Sequence, residues 1–466
     1  MRLIKNYLIC GFIGFITGII LQIKISNELL IIAAVLSILL LLWKRRFFYF
    51  SFLILGIIIA GIYVNWWRQN ISLGVDYDSV KKYSVRIEKP AWESPQGLAG
   101  ATIIDISKKV LIKEDFKTAG TIIETTGKVV RFEAKEEFDA PNYWLTKGIV
   151  GELKSNSEII FITNKPTWQN SIENFRGGVI TKVENYYNYP YGELANGLIL
   201  GYRADFNNEF KNQMSRSGTT HIVAISGYNV AIVVAIFFYA LLGLGLTGAY
   251  WLTFLAVIVF VILTGAEPSV VRAGILILFV LQAKVLGRRQ DSGYLLLLVA
   301  FVMLLNNPSL ARYSLGFQLS FIATAGLMYI SPLFERSKII QKLPLVLRET
   351  VVATLSAQIA VFPLLLYSFN TVSIIAIVAN VLILPIVPLT MLIIFLGFIG
   401  ALMHPILAIL MASGAELLLR WLVGVIRYFG NFKPLEYQLS IVWLILSYLV
   451  MIGIVIIINK KYETDQ

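Results

Sequence analysis

Ser217-Gly218-Thr219-Thr220-His221-Ile222-Val223-Ala224-Ile225-Ser226-Gly227-Tyr228-Asn229 runs directly into Val230-Ala231-Ile232-Val233-Val234-Ala235-Ile236-Phe237-Phe238. Small and hydroxylated residues stand at the mouth of an apolar segment. Such residues permit an unwound or closely packed backbone. Irregular backbone at membrane depth is tolerated only inside protein or beside water. The stretch therefore reads as the start of a membrane span that faces a polar interior.

Composition extends the reading to the whole chain. Of 466 residues, 57% are hydrophobic and 15% charged; a soluble domain has about 45–50% apolar and about 25% charged residues. A spanning helix needs roughly 20 mostly apolar residues. Candidates are 6–23, 28–43, 46–67, 220–244, 248–266, 269–286, 292–306, 311–331, 349–369, 371–400, 404–429 and 440–459. The expected fold is a polytopic α-helical membrane protein of about a dozen hydrophobic segments, some of them re-entrant or interfacial, the segment 371–400 broken by Pro385 and Pro388. Two His and one Cys are too few for a zinc cluster, a disulfide framework or a Cys/His dyad. No metal or other cofactor is expected.

Basic residues orient the spans. Arg2 and Lys5, Lys44 to Arg46, Arg288 and Arg289, Arg336 to Arg348, and Lys460 and Lys461 all fall on one side if each segment crosses once. That side is the cytoplasm, so both termini are cytoplasmic and 68–219 lies outside. The first segment reads as a retained anchor, because no small-x-small cleavage site follows it. The expected location is the cytoplasmic membrane, with lipid as a partner.

Four regions follow: 1–67, an N-terminal hairpin plus a third span; 68–168, an external β domain; 169–218, amphipathic helices at the membrane surface; and 219–466, the main membrane domain. In the β domain, 83–87, 101–106, 121–125, 128–132 and 158–162 read as strands, with Thr126-Gly127 among the separators. About five strands fit a small OB-like barrel or a small sandwich. Positions 68–190 hold 17 basic and 16 acidic side chains. The domain is close to neutral, so Lys108, Lys109 and Lys128 read as a solvated face before a nucleic-acid groove. The net charge of +12 mostly orients the spans. Ile172, Phe175, Val179 and Val183 recur at helical spacing beyond it.

Polar groups inside spans are costly and usually face a cavity or a partner. Four clusters stand out. The first is the opening stretch, with Ser226, Gly227, Tyr228 and Asn229. The second is Gly265-Ala266-Glu267-Pro268-Ser269-Val270-Val271-Arg272, where Glu267 and Arg272 are placed to satisfy each other. The third is Asn306-Asn307-Pro308 with Gly316-Phe317-Gln318-Leu319-Ser320. The fourth is Gln358, Pro363, Asn370 and Asn380. Helix packing accounts for any one of them. Four in successive segments favour a polar path. Glu416 and Arg420 read as a structural i,i+4 pair, and His404 as a cap or packing residue.

These clusters resemble the blocks of the ComEC family of competence proteins. Ser217 to Gly227 resembles the family's S-G-x-x-H-x-x-A-I-S-G, and Leu198-Ile199-Leu200-Gly201 its L-x-L-G. Gly265 to Ala273, Asn307-Pro308 with Gly316 to Phe321, and Ala357-Gln358 with Pro363 and Asn380 follow in order. Phe138-Asp139-Ala140-Pro141-Asn142-Tyr143-Trp144-Leu145 with Gly148 to Gly151 resembles an F-D-x-x-x-Y-L and G-I-x-G signature. The resemblance implies a channel for single-stranded DNA during natural transformation, an OB fold outside, and a path lined by Ser226, Gly227, Tyr228, Asn229, Glu267, Pro268, Ser269, Arg272, Phe317, Gln318, Ser320, Gln358 and Asn380. Arg272 would donate to phosphate; Tyr228 or Phe317 would offer aromatic faces to bases. Implied partners are an external DNA receptor, a cytoplasmic helicase or translocase, single-strand-binding proteins and a separate nuclease.

Two departures from the family pattern bear on this. The family block usually continues S-G-L-H, whereas Ser226-Gly227-Tyr228-Asn229 stands here, so hydrogen bonding survives at the last position without a titratable imidazole. Many members carry a C-terminal metallo-beta-lactamase-like domain. No His-x-His-x-Asp-His motif occurs in this sequence, so no nuclease activity is expected of it. No Walker A motif occurs either. The chain reads as a non-enzyme. The competing class is a secondary transporter or exporter of a smaller polar or lipid-linked solute, which also uses broken helices.

Overall fold

The computed structural model describes residues 2–21, 48–89, 99–113, 119–133, 139–155, 159–164, 167–202, 206–223, 225–287 and 291–464. The segment expected at 28–43, the basic residues Lys44 to Arg46, Arg288 and Arg289, and Phe138 and Ala224 of the motifs lie outside these residues. The chain forms two compact units: Met1–Gly177 with Tyr294–Gln318, and Gly178–Gly293 with Leu319–Gln466.

In the first unit, helices Arg2–Leu21 and Phe48–Ile71 cross in backbone contact. A Cβ on Gly14 would stand 2.0 Å from the Leu53 carbonyl oxygen, and one on Gly56 2.3 Å from that of Gly11. Small residues let apolar helices approach this closely where water cannot drive them together. Phe12 and Phe15 pack on Phe301 of helix Ser292–Asn306, with ring centroids 4.6 and 4.9 Å away. Gly56→Leu is expected to force the pair apart. The cost is at least about 1–3 kcal/mol, read as a lower melting temperature in detergent; an unchanged melt would contradict the packing.

The β domain is a closed five-stranded barrel built from β1 (Val80–Lys89), β2 (Ala99–Ile103), β3 (Lys108–Ile112), β4 (Thr121–Val130) and β5 (Ile149–Ser155). The order is β1-β2-β3-β5-β4, closed by β4 on β1; β6 (Ile160–Asn164) adds to β4. Only the β3–β5 pair is parallel among these strands. Inward residues alternate along the strands, and Val85, Ile87, Ile103, Val110, Ile123, Val129 and Leu153 fill the interior. Closure removes the exposed strand edges of an open sheet.

Three strand expectations change. Thr126-Gly127 is not a separator: β4 runs straight through it. A Cβ on Gly127 would lie 2.3 Å from the Lys154 carbonyl oxygen, so glycine is there because β5 passes too close for a side chain. The strand expected over 101–106 ends at Ile103, and a turn with Ser107 at φ 52° brings Lys108 back opposite Ile103. That return strand, and β5, carried no strand expectation.

Three lysines of the barrel are committed. Lys81 pairs with Asp76 at 2.7 Å and holds that carboxyl below the usual carboxylate range. Lys82 pairs with Glu124. Lys108 donates to the Asn70 carbonyl at 2.7 Å and so ties the barrel to the end of helix Phe48–Ile71 rather than standing free in solvent.

Helix Trp168–Tyr186 leaves the barrel by a polar seam the apolar periodicity did not reveal. Buried Asn170 donates to the Ile87 carbonyl at 3.4 Å and to Glu88 at 3.2 Å. Asn174 exchanges two hydrogen bonds with the Ala119 backbone. At its far end Val183, with Tyr187 just beyond, enters the core of the second unit beside Leu194, Leu198, Phe210, Met214, Leu419, Leu422 and Ile426. The short helices Tyr191–Leu200 and Asn208–Ser217 thus pack on the long helix Pro405–Phe429.

Six helices among the described residues are long and apolar enough to cross a membrane: Phe48–Ile71, Leu242–Leu263, Leu315–Glu335, Leu345–Phe369, Ile406–Phe429 and Ile441–Ile458. Ala376–Ile383 and Val387–Gly400, bent by 44°, make a seventh if taken as one span. Asn6–Leu21, Gly227–Ala240, Pro268–Ala283 and Ser292–Asn306 are apolar but shorter. Polar residues bound two of these shorter helices: Ser226 caps one at its start, and Asn307-Pro308 ends another. Glu416 and Arg420 pair at 2.9 Å, and His404 caps the helix after it by accepting from Ile406 N–H at 3.2 Å.

Candidate functional site

The opening stretch folds as a chain of tight turns. Gly218 ends helix Asn208–Ser217 in the left-handed region at φ 68°, as glycine at a helix C-terminus commonly does. Ser217 and Thr219 share a hydrogen bond at 2.7 Å. One helical turn, Thr220–Val223, follows. Ser226 then caps helix Gly227–Ala240, its Oγ accepting from Tyr228 N–H at 3.2 Å and donating to Asn229 Oδ1 at 3.3 Å.

Asn229 is buried and donates to the Leu198 carbonyl at 3.0 Å. This bond joins the Leu198-Ile199-Leu200-Gly201 block to the Ser226 block. A side-chain N–H donor is what the position uses, and an amide supplies one.

Tyr228 does a related job. Its hydroxyl donates to the Leu384 carbonyl at 3.1 Å, and the Trp421 indole donates to the Leu382 carbonyl at 3.2 Å. Pro385 breaks the helix there, and the break frees backbone acceptors that apolar surroundings would otherwise leave unsatisfied. Tyr228→Phe is expected to cost about 1–3 kcal/mol, measured as a lower melting temperature; an unaltered melt would show that the Leu384 carbonyl has another donor.

Arg272 is the centre of the second cluster. Thr264 to Glu267 form an irregular turn, with Gly265 at φ 75° and Ala266 at φ 52°. Pro268 starts the next helix, Pro268–Val285, and Ser269 ties it to the Ile225 carbonyl at 3.1 Å. One turn on, Arg272 is 7% exposed. Its Nε donates to Ser320 Oγ at 2.7 Å and its Nη1 to Thr324 Oγ1 at 2.5 Å. Its guanidinium lies 5.7 Å from the Phe321 ring centroid. A Cβ on Gly227 would stand 3.0 Å from Nη2, so glycine there makes room for the cation. The expected Glu267–Arg272 pairing is not found: no ion pair joins the two among the described residues, and the arginine reaches hydroxyls on helix Leu315–Tyr329 instead. The reason is geometric, because Glu267 lies in the turn before the helix while Arg272 projects from its second turn.

The remaining candidates are dispersed. Gln318 donates to the Ala311 and Arg312 carbonyls, each at 2.9 Å, closing the break between helices Leu310–Tyr313 and Leu315–Tyr329. Phe317 is buried at 7% exposure, so it does not offer the open face expected of it. Gln358 is half-buried on helix Leu345–Phe369. Buried Asn380 has no hydrogen-bond partner for its Oδ1 among the described residues. In the first unit, Asn307 donates to the Thr146 carbonyl at 2.9 Å and so joins helix Ala140–Thr146 of the Asp139 motif to the Asn307-Pro308 motif. Asp139 caps that helix through Asn142 N–H at 3.2 Å. Ser320 was a candidate for the path; Thr324 and Phe321, its neighbours on the same helix, were not singled out as contacts. The i,i+4 spacing of Thr324 from Ser320 was the available signal.

Among the described residues the guanidinium is held by two hydroxyls and a ring, inside apolar helices. Such charge is rare at membrane depth and marks functional positions.

The fold and this site define a polytopic helical membrane protein with a closed β-barrel domain. Comparison with known proteins places it further. The family described as Competence protein matches residues 198–462, more than half of the sequence. The chain belongs to that competence (ComEC) family. It is also similar to ComE operon protein 3 of Bacillus subtilis (strain 168), 34% identical over 185 residues. That match covers 39% of this chain and 23% of the relative, so the chain spans less than a quarter of that protein's length. No solved structure matches.

Proposed function

We propose that the chain is a conduit for single-stranded DNA across the cytoplasmic membrane during natural transformation. The observation that carries this is the Arg272 site: a cation with neutral partners, set among irregular helix starts, in a member of the competence family. A phosphate is the anion it fits, through charge-assisted bonds from a planar donor fork. Exposed Tyr228 is placed for a base to stack.

In this reading the barrel is of the OB type and stands outside the cell, both termini are cytoplasmic, and the strand passes toward the cytoplasm. The chain is a passage and not an enzyme. Force comes from a cytoplasmic helicase or from strand-binding proteins, delivery from an external receptor, and strand degradation from a separate nuclease. The paired lysines of β1 make the barrel a receiving surface more by shape than by charge.

The test is deletion of the gene with labelled duplex DNA supplied outside. Label is expected to bind the cells and to stay out of the cytosol. Normal cytosolic label in the deletion strain would sink the proposal. A passage too narrow for a nucleotide would favour the small-solute transporter.

A further inference from the structure

We propose that the end of the barrel next to helix Phe48–Ile71 binds the headgroup of phosphatidylethanolamine, a phospholipid with a primary amine, from the membrane that this helix crosses. The inference is independent of the DNA-conduit reading. It starts from a cavity of about 170 Å³ at that end. The segment after the helix, the start of β1, the turn between β2 and β3 and the end of β4 all line it. Buried Tyr83 and Val129 form its inner wall. Exposed Asp76, Lys81, Lys82 and Asp105 form its rim. Ile106 faces Gly74 in the lining, where a Cβ on the glycine would be 3.9 Å from Ile106 Cγ2.

The cavity stands at headgroup depth. Helix Phe48–Ile71 has 24 residues and is about 36 Å long, more than the roughly 30 Å of a hydrocarbon core. Its ends therefore reach the headgroup layer, and Trp66, Trp67 and Arg68 near its last turn suit that layer. Gly74 follows Ile71 by three residues, a reach of at most about 11 Å. Lys108 donates to the Asn70 carbonyl at 2.7 Å and holds the start of β3 against the helix end. Between helix and cavity, Leu73 is 68% exposed, an apolar side chain placed where lipid begins.

The charges select the headgroup. Two cations and two anions on one rim match a ligand that carries both signs and disfavour a ligand of one sign. Lys81 pairs with Asp76 at 2.7 Å. A lysine ammonium has three donors, so the pair leaves Lys81 able to donate to a phosphate oxygen. Asp105 pairs with no side chain among the described residues, and its carboxylate accepts from the lipid's ammonium. A choline headgroup has no N–H to donate there, and a glycerol headgroup has no positive charge. The apolar inner wall takes the methylenes between the amine and the phosphate.

The experiment titrates the purified full chain, in neutral detergent, separately with phosphatidylethanolamine, phosphatidylcholine and phosphatidylglycerol, and counts retained lipid by native mass spectrometry. Phosphatidylethanolamine is expected to be retained first, and more tightly than the other two. Asp105→Asn and Lys81→Gln are each expected to weaken its retention by at least about threefold. Both side chains are on the surface, so these variants leave the core intact. Ile106→Trp, which fills the cavity and removes no charge, is expected to abolish the preference. Lys154→Gln, at an exposed lysine outside the cavity, is expected to leave it unchanged. Equal retention of the three lipids, or wild-type retention by all three cavity variants, would overturn the proposal. So would free phosphoethanolamine binding as tightly as the lipid, which would make the ligand a soluble one. Displacement of the lipid by a thymidine oligonucleotide would assign the cavity to DNA and overturn it too.

Discussion

Arg272→Gln is expected to lower DNA import about tenfold or more while the protein's amount in the membrane stays near wild type. The two readouts separate because the side chain has two consequences of opposite sign. Burying an uncompensated charge is unfavourable, and removing it relieves that cost. Losing two hydrogen bonds to hydroxyls costs about 1.5–3 kcal/mol each where the donor is charged. Thr324 keeps a partner, since its hydroxyl also donates to the Ser320 carbonyl at 2.8 Å. These terms nearly cancel in stability. They do not cancel for a passing phosphate, which loses its cation outright; each about 1.4 kcal/mol of that loss is a factor of ten. Arg272→Lys is expected to fall between, because it keeps the charge and loses the fork. The check is cytosolic label per unit of membrane protein. Reduced abundance with unchanged import per molecule would make the arginine a packing residue.

Gly218→Val is expected to remove most of the folded protein. At φ 68° the left-handed conformation costs an L side chain about 1–2 kcal/mol. The new Cβ would stand 2.3 Å from Ala376 Cβ and 3.3 Å from Ser373 Cβ. Ala376 opens the first half of the bent pair and is buried at 1%, so it has little room to yield. Overpacking adds about 1–3 kcal/mol, and a β-branched side chain makes both terms worse. Against a total stability of about 5–15 kcal/mol this is a large share. Membrane abundance by immunoblot is the check, with import falling only in proportion. Normal abundance would mean that the turn and helix Ala376–Ile383 do not pack as described.

The membrane character and the placement of most helices were legible because apolar length is a strong signal. The irregular mouth at Ser217 to Asn229 was legible too, from small and hydroxylated residues in an apolar setting. Other features were hidden for identifiable reasons. Gly127 looks like a turn residue in one dimension; its role as a gap for β5 exists only once the barrel closes. Asn170 and Asn174 lie on the polar face of an amphipathic helix, where sequence implies water, yet they bind barrel backbone. Arg272 stood out by its cost, but its partners could not be chosen from the sequence: nearby Glu267 was the obvious one, and distant Ser320 and Thr324 are the actual ones. Tyr228 was singled out as an aromatic face, whereas its hydroxyl also satisfies a carbonyl freed at a break 156 residues away.

The central claim is that single-stranded DNA passes beside Arg272. The most direct test replaces Phe321, which lies against that guanidinium, with a photoreactive phenylalanine analogue and illuminates cells during uptake of labelled DNA. The account predicts a covalent adduct between the protein and single-stranded DNA, lost when Arg272 is also changed to glutamine. Normal import with no adduct from position 321, while the same analogue at position 228 or 324 is equally silent, would contradict it.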